Sequence, residues 1–244
     1  MSQAIRHGIL AIQGFTATPD CLESLVIPLR QKGFIVSAPL LAGHGTTAED
    51  LAKTTWHDWY GSVEKAYLDL KKKTDRISVV GISLGGLLTL MLASEHHEID
   101  RIALLATPVF LTGFLAEKVL PVVANSFLKH IYPYQRKWAG PAINDPVARD
   151  QFKCYTKMPI RSIMEIVNFQ KEVAPRIPHI TIPTLIIHSP YDTTAPFANM
   201  AYLKEHLGSS EIKTVTLEKS DHVLTLDYEK DLVAQEVVRF FIPN

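Results

Sequence analysis

A serine flanked by glycines, in the run Gly81-Ile82-Ser83-Leu84-Gly85, is the group in this chain best placed to act as a nucleophile. The run follows an apolar stretch, Ile77-Ser78-Val79-Val80, with the composition of a buried strand. It precedes Gly86-Leu87-Leu88-Thr89-Leu90-Met91-Leu92-Ala93, which reads as a packed helix. A strand that turns at once into a helix leaves no room for side chains two residues before and two after the serine, and glycine removes them. The turn pushes the hydroxyl beyond the strand end, beside a helix N-terminus whose amides and dipole favour negative charge. The chemistry this suggests is covalent. A hydroxyl is a weak nucleophile at neutral pH and needs a base within hydrogen-bond reach, and an imidazole base needs a carboxylate to fix its tautomer. The alternative is an ordinary glycine turn with a capping serine.

Two later positions meet those needs, in the order serine, acid, histidine. Asp192 lies in His188-Ser189-Pro190-Tyr191-Asp192, just past a strand-like run, Thr184 to His188. His222 lies in Ser220-Asp221-His222-Val223-Leu224-Thr225-Leu226-Asp227, past the run Ile212 to Leu217. Read as structure alone, Asp192 is a turn or capping residue and His222 a surface histidine. Other candidates fit less well. His188 precedes Asp192, His96 and His97 end a helix-like segment, and Asp221 adjoins His222 too closely to orient its ring. Asp227 is expected to cap the last helix. A developing oxyanion would need two amides: that of Leu84, after the nucleophile, and that of Phe15 in the loop Gln13-Gly14-Phe15-Thr16.

These residues must be positioned by a scaffold, and the chain alternates apolar runs with helix-like segments. Gly8–Ile12, Phe34–Ala38, Arg76–Val80, Ile102–Ala106, Thr184–His188 and Ile212–Leu217 read as strands. Cys21–Lys32, Asp58–Lys72, Pro196–Leu207 and Lys230–Phe241 read as helices. The pattern implies an α/β fold with a mainly parallel sheet covered on both faces, and ligands bind at the carboxyl ends of such strands. Residues 107–183 are too long for one crossover. Their apolar residues, from Phe114 and Leu115 to Met164 and Ile166, predict a helical cap over about 109–173, with Pro121 breaking its first helix. The core is then 1–108 and 174–244. The alternatives are helices packed on the flank, or a stripe that touches a membrane.

Composition narrows the function further. Of 244 residues, 47% are hydrophobic and 20% charged, which suits one domain with a large core. Lys+Arg and Asp+Glu are both 25, a balance that predicts no nucleic-acid partner. The two cysteines, Cys21 and Cys154, form no metal or disulfide framework, so a reducing cytoplasm is the expected setting. Met1 to Ile12 lacks the apolar length of a signal peptide.

The chain resembles the bacterial monoacylglycerol lipase and carboxylesterase group of the α/β-hydrolase superfamily. The resemblance rests on Gln13-Gly14-Phe15-Thr16, Gly43-His44-Gly45-Thr46, His57-Asp58-Trp59, Gly81 to Gly86, and the run from His222 to Tyr228, in family order. It implies the α/β-hydrolase fold with a small helical cap, no metal or cofactor, and Ser83, Asp192 and His222 as a triad. It also implies an oxyanion hole from the Phe15 and Leu84 amides. The implied activity is hydrolysis of carboxylic esters, monoacylglycerols or other short-to-medium acyl esters, through an acyl-enzyme; the expected membrane or micelle contact, through the cap, is at most transient. His44 is expected to be structural. The sequence departs from the family at Gln13, where a histidine is usual, and Tyr155-Thr156-Lys157 in the cap carries no acid. A non-catalytic ligand-binding protein, a thioesterase and a peptidase are the rival readings.

Overall fold

The computed structural model describes residues 5–111, 134–136, 140–152 and 154–242. Six strands form one parallel sheet in the order β2-β1-β3-β4-β7-β8. They are β1 (His7–Ile12), β2 (Ile35–Ser37), β3 (Arg76–Ile82), β4 (Ile102–Leu105), β7 (Thr184–His188) and β8 (Ile212–Thr216). The register pairs Ile82 with Leu105, Leu105 with Ile187, and His188 with Thr216, so the carboxyl ends of β3, β4, β7 and β8 lie together along one edge.

Alternation along each strand feeds two cores, because side chains of a strand point to opposite faces in turn. Leu10, Ile12 and Val79 join one cluster with Trp59 and Val63 of α3 (Trp56–Lys71), Leu87 and Leu88 of α4 (Leu84–Glu95), and Phe169. Ile9, Ala11, Val80 and Ile82 join the other with Leu25 and Leu29 of α1 (Glu23–Gln31), and with Val233, Val237 and Phe241 near the chain's end. The four central strands β1, β3, β4 and β7 are covered on both faces and mainly apolar, which is why they read as continuous runs, while the edge strands β2 and β8 are partly exposed. Helix α4 is buried from Leu84 to Ala93, as its uniformly apolar sequence requires.

Between β4 and β7 the described residues hold more than helices. A two-stranded antiparallel pair, β5 (Tyr134–Arg136) with β6 (Lys157–Pro159), brackets α5 (Pro146–Gln151). Helix α6 (Ile160–Val173) follows directly on β6, and its Phe169 and Val173 enter the first core. Two shorter helical elements complete the described residues that matter here: α2 (Ala48–Leu51) and α7 (Ala198–His206), with α8 (Lys230–Phe241) closing the chain. The expected apolar helix from Phe114 to Ile131, and its break at Pro121, lie outside the described residues.

Candidate active site

The turn from β3 through Ser83 into α4, a nucleophile elbow, is built by steric exclusion. A Cβ on Gly81 would lie 2.1 Å from the Gly85 carbonyl oxygen, and one on Gly85 would lie 2.2 Å from that of Ile12. Only glycine allows α4 to start this close to β1 and β3. Ser83 itself adopts φ 55°, a conformation that L-residues rarely take, with its amide donating to Leu105 O at 2.8 Å.

The hydroxyl leaves the end of β3 and meets His222 from the loop after β8. Ser83 Oγ lies 2.8 Å from His222 Nε2, and His222 Nδ1 lies 2.8 Å from Asp192 Oδ2. Three side chains from three loops thus form one hydrogen-bonded line. The Asp192 carboxylate is fully buried and accepts four hydrogen bonds. Oδ1 takes the amides of Thr194 and Ala195 at 2.8 and 2.7 Å, so the residue also shapes the turn before α7. Oδ2 takes His222 and, at 3.1 Å, His188 Nε2. Burial, the largest single influence, pushes the Asp192 carboxyl up. The charge of His222, the bonds from both imidazoles and the Ala195 amide outweigh burial and hold the group well below the usual carboxylate range.

The loop behind β1 closes against the serine. A Cβ on Gly14 would stand 3.5 Å from both Ser83 Cβ and Ile82 O, so the backbone before Phe15 touches the elbow. Gln13, fully buried, spans the loop by donating from Nε2 to Ala17 O at 2.6 Å. That amide bridge ties the two ends of the loop together although the family's histidine is absent. Phe15, His44 and Trp59 form a triangle of rings, each pair 5.9 Å apart between centroids. His44 is held between Gly43 and Gly45, both at positive φ, and its Nδ1–H donates to Ala42 O at 3.0 Å. Trp59 Nε1 donates to Thr54 Oγ1, and Asp58 receives the Thr55 amide at the start of α3. Three separated sequence motifs therefore meet beneath Phe15.

The residues singled out in the sequence fall in two groups. Ser83, Asp192, His222, Phe15 and Leu84 surround one cavity of about 550 Å³ or support its walls. Asp221 stays off the imidazole ring and accepts the amides of Thr193 and His222. Asp227 departs from expectation. It is fully buried and receives the amides of Asn144, Asp145, Asp221 and Tyr228, while Glu229 precedes α8. A carboxylate that gathers amides from two loops has no spacing signature in the chain. Two contributors have no expected role in the sequence: His188, whose only signal is a histidine ending an apolar strand, and Tyr155. The Tyr155 hydroxyl accepts from Thr46 N at 2.9 Å and donates to Gly43 O at 3.1 Å.

A parallel sheet with this elbow at the end of β3 places the molecule among the α/β-hydrolases, and as a class it is a serine hydrolase. The chain belongs to the family described as serine aminopeptidase, S33, which matches residues 3–229, and to the monoacylglycerol lipase and esterase group of that fold. It is 32% identical over 238 residues to a thermostable monoacylglycerol lipase of Bacillus sp. (strain H-257), covering 96% of this chain and 90% of that one. A carboxylesterase of Bacillus subtilis (strain 168) is 26% identical, covering 95% and 91%. Among solved structures, a metagenome-derived lipolytic enzyme superposes with a TM-score of 0.89 at 26% identity, covering 97% of this chain and 93% of that one. Among the described residues no helix is long and apolar enough to cross a membrane.

Proposed function

We propose that the protein hydrolyses carboxylic esters of small acyl substrates, monoacylglycerols among them, through Ser83, Asp192 and His222. The observation that carries this reading is the unbroken line from Ser83 Oγ through His222 to Asp192 Oδ2, both steps at 2.8 Å. His222 Nε2 takes the Ser83 proton as Oγ attacks the ester carbonyl. Asp192 holds the ring through Nδ1–H and stabilises the imidazolium that forms. The tetrahedral oxyanion sits on the amides of Leu84, the first residue of α4, and Phe15, whose loop abuts the serine. His222 then returns its proton to the leaving alcohol, and activates water to release the acid.

The cavity supports an acyl substrate. Phe15, Ile82, Ile143, Phe152, Met158 and Val223 give it mostly apolar walls. Cys21 belongs to the same wall, and burial pushes its thiol up to about 12, so it stays protonated. At about 0.8 kcal/mol per buried methylene, each added carbon improves transition-state binding up to roughly fourfold until the space is filled. Residues 109–173 act as the cap, with Pro141 to Asn144, Phe152 and Met158 forming the described part of the cavity's roof.

A peptidase is the rival that the family's description raises. Cleaving a free amino terminus calls for a carboxylate able to bind the ammonium group. Among the described lining residues the sole carboxylate is Asp221, already committed to Thr193 and the His222 amide. Ester hydrolysis needs no such group.

The deciding experiment compares Ser83→Ala with the parent on p-nitrophenyl esters. Turnover is expected to fall by about a millionfold with the fold retained. Full activity in Ser83→Ala eliminates the mechanism. Parallel rates on monoacylglycerols, alkyl esters, thioesters and aminoacyl amides then set the substrate class, with rates on acyl esters rising and then falling with chain length.

A further inference from the structure

His188 is a buried imidazole to which the steps above give no task. It ends β7 with none of its surface exposed. Its Nε2 lies 3.1 Å from Asp192 Oδ2 and 3.1 Å from Ala195 O. Both neighbours are acceptors, so Nε2 must carry the proton. Nδ1 is buried and has no partner among the described residues, which fits the lone-pair nitrogen of that tautomer. The Phe197 ring stands edge-on to the imidazole at 5.9 Å.

Asp192 Oδ2 therefore accepts from two imidazoles at once. His222 reaches it from the loop after β8, and His188 from the end of β7, the strand that leads into the Asp192 loop. Asp221 borders this cluster with its carboxylate turned to the Thr193 amide and hydroxyl, and Arg149 and Cys21 line the cavity that His222 faces.

We propose that His188 is a positioning residue: its Nε2–H fixes the carboxylate in the orientation that serves His222 and draws off part of the negative charge that His222 would otherwise face alone. This inference rests on the reading of Ser83, Asp192 and His222 as the reacting groups. Two consequences separate it from simple packing. Without His188 the carboxylate loses one of its four donors and its alignment with Nδ1–H. The loss must also fall on kcat rather than KM, because no contact to substrate is removed, and a side chain that restores the N–H must restore the rate.

The test compares His188→Leu, which keeps the volume without a donor, with His188→Gln, whose amide N–H can reach the same acceptors. His188→Leu is expected to lower kcat by about ten- to a hundredfold, the range for losing one charge-assisted hydrogen bond, and to leave KM within about twofold. His188→Gln should recover most of that loss. A His188→Leu enzyme with parental kcat overturns the proposal, as do equal losses in both variants. If His188→Leu does not fold, nitrogen-15 spectra of the unaltered protein decide. The Nε2–H tautomer at His188 supports the inference, and the Nδ1–H tautomer overturns it. Ser83→Ala is run alongside. Its retained activity removes the triad reading itself, whereas an inactive Ser83→Ala beside a parental His188→Leu removes only the role of His188.

Discussion

From Ile77 to Ala93 every residue except Ser83 is buried, whereas among the described residues from Gly140 to Met158 only Ile143 is. The elbow and the roof of the same cavity are held in different ways. At the elbow, backbone meets backbone with no space for a methyl group, and both cores press on it. The roof hangs on hydrogen bonds: Val223 N to Ala142 O, the amides of Asn144 and Asp145 to Asp227, and the Tyr155 hydroxyl to Gly43 and Thr46. Close packing transmits any change of volume, while contacts made by a few polar groups to backbone leave the neighbouring side chains free to vary in size. The difference teaches where each property of the enzyme is stored. On the mechanism proposed above, the geometry of reaction is stored in the closely packed part and the shape offered to substrate in the hydrogen-bonded part.

The largest effects should come from the reacting line. Asp192→Asn is expected to lower kcat by about ten-thousandfold, because an amide stabilises the wrong tautomer of His222. Asp221→Asn, which alters only amide acceptors beside the ring, should cost no more than about tenfold. Steady-state kinetics on one ester checks both, and a harmless Asp192→Asn beside a crippled Asp221→Asn would reassign the acid. Next comes the elbow's backbone. Gly85→Ala places a methyl group against Ile12 O and Gln13 O at 2.2 and 2.7 Å. Neither atom can move without moving β1 and the Phe15 loop, so the expected loss is about 3 kcal/mol of stability, together with most of the activity. Urea unfolding measures the first. A fully stable and active Gly85→Ala would show that the elbow is as forgiving as the roof.

The same contrast explains what could be read from the chain. Strands buried on two faces must be apolar runs, and glycines at a sterically closed turn must be glycine. Hence β1, β3, β4 and β7 lie within two residues of their expected bounds, and Thr184–His188 coincides with β7; the partly exposed edge strands β2 and β8 fall within one residue, each marked by Ile and Val. The spacing of Ser83, Asp192 and His222 was legible because each follows the end of such a run. Features made by polar contacts to backbone were not. The pair of three-residue strands β5 and β6 joins residues more than twenty positions apart, in an interval expected to be helical. Its stabilising bonds place no demand on side-chain type. Asp227 and His188 are cases of the same kind: their partners are decided by how loops fold back, not by period or neighbour.

A smaller effect should appear in the pH dependence of stability, at the ring cluster between elbow and roof. Burial pushes His44 from 6.5 down to about 4, against its bond to Ala42 O, which acts in the opposite direction. The folded value is the lower one, so the unfolded chain binds the proton first. The stability that His44 contributes is complete above about pH 6.5 and is lost as the pH falls toward 4. Between pH 7 and pH 5 that loss is about 2 kcal/mol for this group alone. His44→Gln should lower stability at pH 7 by leaving the Phe15–Trp59 contact loose, yet flatten the slope between the two pH values. Urea midpoints at both pH values give the comparison, and an unchanged slope would assign the acid sensitivity to other groups.

The smallest and most discriminating change is Tyr155→Phe. It keeps the ring and deletes two hydrogen bonds, from Thr46 N and to Gly43 O. The lost bonds join two half-buried loops, so water replaces part of them and stability should fall by only about 1 kcal/mol. In a domain of this size that is a Tm decrease of roughly 2–4 °C. The kinetic split matters more. If the roof is coupled loosely to the reaction centre, kcat on a short ester stays within about twofold, because no group touching the reacting atoms has moved. KM for a long acyl ester rises instead, by about two- to fivefold, since a roof freed from the Gly43 loop presents less apolar surface to the chain's far end. The opposite split has an equally definite meaning. Gly43 adjoins His44, and His44 packs against Phe15, so a kcat that falls while KM holds would mean that the roof reaches the oxyanion loop through this one phenol. In that case the two regions are one mechanical unit, and the division between an unforgiving elbow and an exchangeable roof is wrong.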